Sequence, residues 1–139
     1  MDKQCRKVVC IEDEIEMIEL VRLILSRVNI EVFGALGGQE GLQLINSVKP
    51  DLVLLDLMMP GMDGWEVYQN MKGSLEMRDI PVIVVTAKAQ SIDRVLGLHI
   101  AGVDDYITKP FGPRELLDSI EKVMNTHLQD HAGNGIGTA

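Results

Sequence analysis

The sequence predicts a doubly wound α/β domain, a parallel sheet of five strands with five helices distributed over both faces. Three observations carry that prediction. The apolar runs Leu52–Leu55 and Val82–Val85 show no polar alternation, as expected of strands covered on both faces. Amphipathic stretches alternate with such runs along the chain, an order that calls for parallel strands joined by helical crossovers. Most runs stop at an acidic or polar residue, which puts reactive side chains at the carboxyl edge of the sheet, where ligands of open α/β sheets collect.

Lys7–Ile11 (KVVCI) is the first strand, and it runs into Glu12, Asp13 and Glu14. From Ile15 to Arg27 the spacing predicts a helix with Met17, Leu20, Val21, Ile24 and Val28 on one face. Ile30–Ala35 is a weaker second strand; Gly37 and Gly38 break the chain. A helix over 39–48 follows, with Leu42, Leu44 and Ile45 inward and Pro50 closing it. The third strand delivers Asp56, and Pro60, Gly61, Asp63 and Gly64 are turn-formers beyond it.

Trp65 to Ser74 should be helical, with Trp65, Tyr68 and Met71 on its apolar face. The fourth strand, VIVVT, follows Pro81 and ends in Thr86. Ser91 is a candidate N-cap for a helix reaching Ala101, with Ile92, Val95 and Leu96 inward and Gly102 as its stop. Val103–Thr108 is the fifth strand and closes on Lys109-Pro110. Pro113 opens the last helix, which carries Leu116, Leu117, Ile120, Val123 and Met124 on one stripe and should end near Asn125. Residues 1–125 then form one domain, and 126–139 read as a flexible Gly-rich tail or linker remnant.

At 139 residues, with 46% hydrophobic and 24% charged residues, the composition is that of an ordinary single globular domain. A formal net charge of −8 argues against direct nucleic-acid or anionic-membrane binding, which needs clustered Lys and Arg. No apolar run has the roughly 18 residues of a spanning helix, and the N-terminus lacks a signal peptide's apolar core, so a cytoplasmic protein is expected. Cys5 and Cys10 read as two free thiols.

The strand ends converge on one constellation: Glu12 and Asp13 from the first, Asp56 from the third, Thr86 and Lys109 from the fourth and fifth. Three carboxylates within about 4 Å of one another repel by several kcal/mol per pair at an effective dielectric near 20. Positive charge must sit among them. Lys109 supplies part, and a hard, oxygen-seeking divalent cation suits the remainder; Mg²⁺ fits better than zinc because no His stands at these strand ends. An Asp beside Mg²⁺ and Lys is equipped to attack phosphorus, and a Thr hydroxyl can donate to a phosphoryl oxygen.

With these motifs in place, the chain resembles the receiver domains of bacterial two-component response regulators over roughly residues 6 to 125. The resemblance rests on EDE at 12–14, LLDLMMPGMDGWE at 54–66, VVTAKA at 84–89 and DDYITKPF at 104–111. It implies a flavodoxin-like sheet of order 2-1-3-4-5. It also implies a phosphoacceptor at Asp56, metal binding by Asp13, Asp56 and the Met58 backbone carbonyl, and Glu12 reaching the metal directly or through water. Mg²⁺, with Mn²⁺ as a substitute, is the implied cofactor. Thr86 and Lys109 match the family's switch hydroxyl and lysine, Tyr106 its rotating aromatic, and Lys109-Pro110 its cis peptide. Glu12 departs from the Asp often found there.

The implied partners are a sensor histidine kinase or histidine phosphotransfer protein and a downstream protein target. The output surface is the 91–101 helix, the fifth strand and the last helix. The implied role is a switch in phosphorelay signalling with at most autophosphatase activity. Leu98 and Ile100 lie off their helix stripe and mark a partner or weak homodimer face, whereas His99 reads as partly buried and His127 and His131 as solvent residues. Met58 and Lys88 border the path of water to Asp56. Two readings compete: a receiver-like binding module that works without phosphorylation, and a metal-dependent aspartyl-phosphate hydrolase. The second is disfavoured by Met58 where such enzymes carry an acid, and by the lack of a cap insertion.

Overall fold

A computed structural model describes residues 6–59, 61, 64–87 and 103–137, the stretch 126–137 by its backbone alone. In chain order the elements are β1 (Arg6–Ile11), α1 (Ile15–Ser26), β2 (Ile30–Ala35), α2 (Gly38–Val48), β3 (Leu52–Asp56), α3 (Gly64–Lys72), β4 (Val82–Thr86), β5 (Asp105–Thr108) and α4 (Pro113–Gly137). The strands form one parallel sheet of order β2-β1-β3-β4-β5. The expected helix over 91–101, with His99, Leu98, Ile100 and the Ser91 cap, lies outside the described residues, as do Cys5, Pro60, Asp63 and Lys88.

β3 and β4 are buried at every position, which is why their sequences show no alternation. Successive residues of a strand point to opposite faces, and the core accordingly divides in two. Val8, Cys10, Leu52, Leu54 and Ile83 pack with Ile18, Val21 and Leu25 of α1 and Leu116, Ile120 and Val123 of α4. Val9, Ile11, Val53, Leu55 and Val84 pack on the other side with Ile45 of α2 and Val67, Tyr68 and Met71 of α3. β2 and β5, at the edges, keep polar and exposed positions.

At the amino end of the sheet two aspartates extend the ladder. Asp51 N–H donates to Lys7 O at 2.8 Å while its Oδ2 accepts from Lys7 N–H at 2.8 Å. Asp104 repeats this with Val82, at 3.1 and 2.8 Å. Such caps satisfy donors that have no strand neighbour, and they fix where β3 and β5 begin.

Several boundaries and faces differ from the sequence reading. On α1 the buried residues are Ile18, Val21, Ile24 and Leu25, whereas Leu20 and Val28 are 39% and 47% exposed. The segment IEMIELVRLIL is apolar at so many positions that several overlapping stripes fit, and packing on β1 and β2 selects one. β5 starts at Asp105 rather than Val103, because the Asp104 carboxylate takes the Val82 N–H. α3 spans Gly64–Lys72 instead of Trp65 to Ser74. The last helix does not stop near Asn125: its backbone stays helical to Gly137. Residues 126–132, THLQDHA, contain neither Gly nor Pro to break the helix.

α2 sits close to β1 because Gly41 has no side chain. A methyl group there would meet Ile11 Cδ1 at 2.4 Å and Cγ1 at 2.7 Å, with Ile11 itself fully buried. Gly41→Ala is expected to destabilise the domain by about 1–3 kcal/mol through overpacking, despite the better helix propensity of Ala. Urea unfolding measures it; an unchanged or raised midpoint would show that Ile11 repacks without cost.

Candidate functional site

The carboxyl ends of β1, β3, β4 and β5 build the site. Register aligns Ile11 with Leu55 and Asp56 with Val85, so Glu12, Asp56 and Thr86 leave neighbouring strands at nearly the same level. Thr108 pairs with Thr86, and the next residue, Lys109, donates its N–H to Thr86 O at 2.7 Å. The lysine is thus tied to the end of β4 at its backbone. Lys109-Pro110 is a cis peptide, in keeping with the resemblance.

Glu12, Asp13 and Asp56 each offer one carboxylate oxygen, and these lie within 4.8 Å of one another. Glu12 and Asp56 are both 2% exposed; Asp13 is exposed. Lys109 Nζ stands 2.9 Å from Glu12 Oε1 and 3.6 Å from Asp56 Oδ2. Backbone donors complete both buried acids: Glu14 N–H reaches Glu12 Oε2 at 3.2 Å, and Met58 N–H reaches Asp56 Oδ1 at 3.0 Å. Thr86 is fully buried, and its Oγ1 has no hydrogen-bond partner among the described residues.

Two further residues expected from the sequence lie beside this cluster or beyond it. Met58 touches Asp56 through its N–H, while its side chain is 58% exposed. Tyr106 lies on edge strand β5, 46% exposed and paired in register with Val84. Lys109, Glu12, Asp13 and Asp56 are brought together, with Thr86 one strand end away.

Sequence reasoning assigned Gly64 only to a turn. It is the first residue of α3, and a Cβ there would meet Asp56 O at 2.4 Å and Leu57 Cα at 2.6 Å, both backbone atoms that cannot step aside. Its N–H also donates to Leu57 O at 3.2 Å. Gly64 therefore lets α3 press against the strand end that presents Asp56; a glycine one residue before an apolar helical stretch was the available signal. Cys10, beneath the acids, is buried, and its thiol is pushed up to about 12 by that burial and by Glu12, which leaves it unreactive.

The electrostatics are those of a site short of positive charge. Burial pushes Glu12 up to about 7, Asp56 adds to that, and the bond to Lys109 opposes it. Asp56 is also raised, again by burial, against the Met58 N–H and Lys109. Burial alone would lower Lys109, but its bond to Glu12 and the charge of Asp56 raise it. One ammonium does not neutralise three clustered carboxylates. The donors are hard oxygens of unequal exposure, with Asp13 open to solvent, a set that suits a Mg²⁺-like cation retaining several waters.

Beyond this chain's own geometry, a family model described as the response regulator receiver domain matches residues 8–121. Solved structures share the fold. NtrX from Brucella abortus aligns with TM-score 0.85 at 24% identity, over 96% of this chain and 30% of that one, so this chain spans under a third of NtrX. A putative response regulator from Chloroflexus aurantiacus J-10-fl aligns with TM-score 0.80 at 27% identity, over 88% of this chain and 99% of that one. The signal receiver domain of a signal transduction histidine kinase from Syntrophus aciditrophicus aligns with TM-score 0.78 at 29% identity, over 87% and 91%.

The raised Glu12 fixes the sign of a pH effect. An acid whose folded value lies above its ordinary 4.5 stabilises the fold fully below that pH, and the stabilisation is lost as pH rises through about 7. Metal-free protein should therefore lose stability between these limits, and Glu12→Gln should flatten that decline. Urea midpoints in EDTA across the window test it; an equally steep decline in the variant would remove Glu12 as its source.

Proposed function

Because the chain belongs to the receiver domains of response regulators, we propose that it is a phosphorylation switch in phosphorelay signal transduction that accepts a phosphoryl group on Asp56. The observation that carries this reading is a buried Asp56 ending a fully buried strand, with Lys109 at 3.6 Å and two further carboxylates within 4.8 Å. The donor is a phosphohistidine of a sensor histidine kinase or histidine phosphotransfer protein, or a small phosphodonor such as acetyl phosphate.

In the reaction an Asp56 oxygen forms a bond to phosphorus as the donor's N–P or O–P bond breaks, and the leaving group keeps the electron pair. When bound, Mg²⁺ or Mn²⁺ neutralises charge on the phosphoryl oxygens. Asp13, Asp56 and the Met58 carbonyl would hold the cation, with Glu12 alongside. The Lys109 ammonium pairs with a phosphoryl oxygen. The Thr86 hydroxyl, which lacks an acceptor among the described residues, donates to another.

The gain of about −1.5 to −2 charge biases a two-state equilibrium. As Thr86 moves toward the phosphoryl group, Tyr106, 46% exposed in this state, turns inward. β5 and α4 then present the altered surface to a downstream protein. Loss of the phosphoryl group to water, at most an autophosphatase activity, resets the switch. No helix among the described residues is long and apolar enough to cross a membrane.

Intact mass after incubation with Mg²⁺ and acetyl phosphate or phosphoramidate tests the reading. One acid-stable, base-labile phosphoryl adduct should form, and it should vanish with EDTA or in Asp56→Ala. An adduct that survives Asp56→Ala would move the chemistry elsewhere, and none in the wild type would favour a module that binds without phosphorylation.

A further inference from the structure

Both oxygens of Glu12 are already engaged within the fold. Oε1 lies 2.9 Å from Lys109 Nζ, Oε2 accepts from Glu14 N–H at 3.2 Å, and the residue is 2% exposed. Asp56 is used differently. Its Oδ1 accepts from Met58 N–H at 3.0 Å, whereas Oδ2 stands 3.6 Å from the ammonium, outside hydrogen-bond range. The lysine backbone is pinned by its 2.7 Å bond to Thr86 O, and from that base its ammonium lies nearer Glu12 than Asp56.

We propose that Glu12 is a positioning residue for Lys109, holding the ammonium off Asp56 in the metal-free, unphosphorylated state so that Asp56 Oδ2 stays open to the cation. Asp13 and Asp56 are then the carboxylate ligands, and Glu12 acts from outside the coordination shell, through the lysine. Side-chain length makes this possible. An aspartate at this position carries its carboxylate one methylene nearer β1 and frees the lysine to close on Asp56. An ammonium paired with Oδ2 competes with a cation for that oxygen.

The inference rests on Asp56 being the phosphoacceptor, but its test needs no phosphorylation. Mg²⁺ titrations by calorimetry, with the single tryptophan Trp65 as a fluorescence check, compare Glu12→Asp in two backgrounds. The substitution keeps the charge and shortens the reach. With Lys109 present it should weaken Mg²⁺ binding about tenfold; in a Lys109→Met background, with no lysine to release, it should change binding less than about twofold. An equal loss in both backgrounds would make Glu12 a direct ligand, and no loss in either would leave its grip on the lysine without consequence; each overturns the proposal.

A metal-free arm covers variants that fold poorly. Urea unfolding in EDTA of Glu12→Gln, Asp56→Asn and Lys109→Met, singly and in pairs, gives two coupling terms. The Glu12–Lys109 coupling should exceed the Asp56–Lys109 coupling by about fivefold in equilibrium constant, and the reverse order would sink the idea. Should both arms succeed while Asp56 takes no phosphoryl group, the switch reading fails and the lysine's placement stands.

Discussion

The constraint on which this structure turns is a charge imbalance, among the described residues three carboxylates at one sheet edge against one lysine. Two of those acids are buried, and burial raises both Glu12 and Asp56. Like charges in partial burial cannot all ionise without a counter-charge. Among the described residues the fold supplies one ammonium and two backbone N–H groups, and in the proposed function a cation would answer the remainder. A site satisfied internally would have no reason to bind one.

The architecture serves to hold that imbalance in place. β3 and β4 are gripped from both faces, so Asp56 and Thr86 emerge from the most rigid part of the sheet. Gly64 lets α3 start against the Asp56 carbonyl, which shortens the excursion after β3. Lys109 comes from edge strand β5, yet its backbone is tied to β4 through Thr86 O, so a displacement of the β4 end carries the lysine with it. In the proposed reaction Asp56 would attack from the end of a strand buried at every position, with the Lys109 ammonium as its nearby counter-charge.

What the sequence disclosed follows from the kind of signal each feature leaves. Strand order and site composition were legible because apolar runs buried on both faces end in reactive residues, and because spaced motifs resemble one family over most of the chain. The inward face of α1 was not legible. Its segment is apolar nearly all round, and only packing against β1 and β2 decides which stripe is buried. The end of the last helix was not legible because it continues past Asn125 to Gly137, through glycines that signal a stop in sequence. Glu12's grip on Lys109 was invisible for another reason: two residues nearly a hundred positions apart carry no local record of which acid the lysine prefers. The role of Gly64 was hidden by its ordinary company of turn-formers.

Two unmet demands meet at the same place. Thr86 keeps a buried hydroxyl with no acceptor among the described residues, and the acids keep an excess of negative charge. A buried, unpaired hydroxyl costs about 1–3 kcal/mol, which corresponds to roughly 5- to 150-fold in a two-state equilibrium. In the proposed reaction a phosphoryl group on Asp56 brings acceptor oxygens within reach of Thr86 and a new partner for Lys109, while a cation answers the charge. On that reading, drawing Thr86 toward the phosphoryl group would open space near β5, where Tyr106 stands half exposed. The phosphoryl group would thus meet a demand that the Thr86 hydroxyl, without a partner among the described residues, already makes.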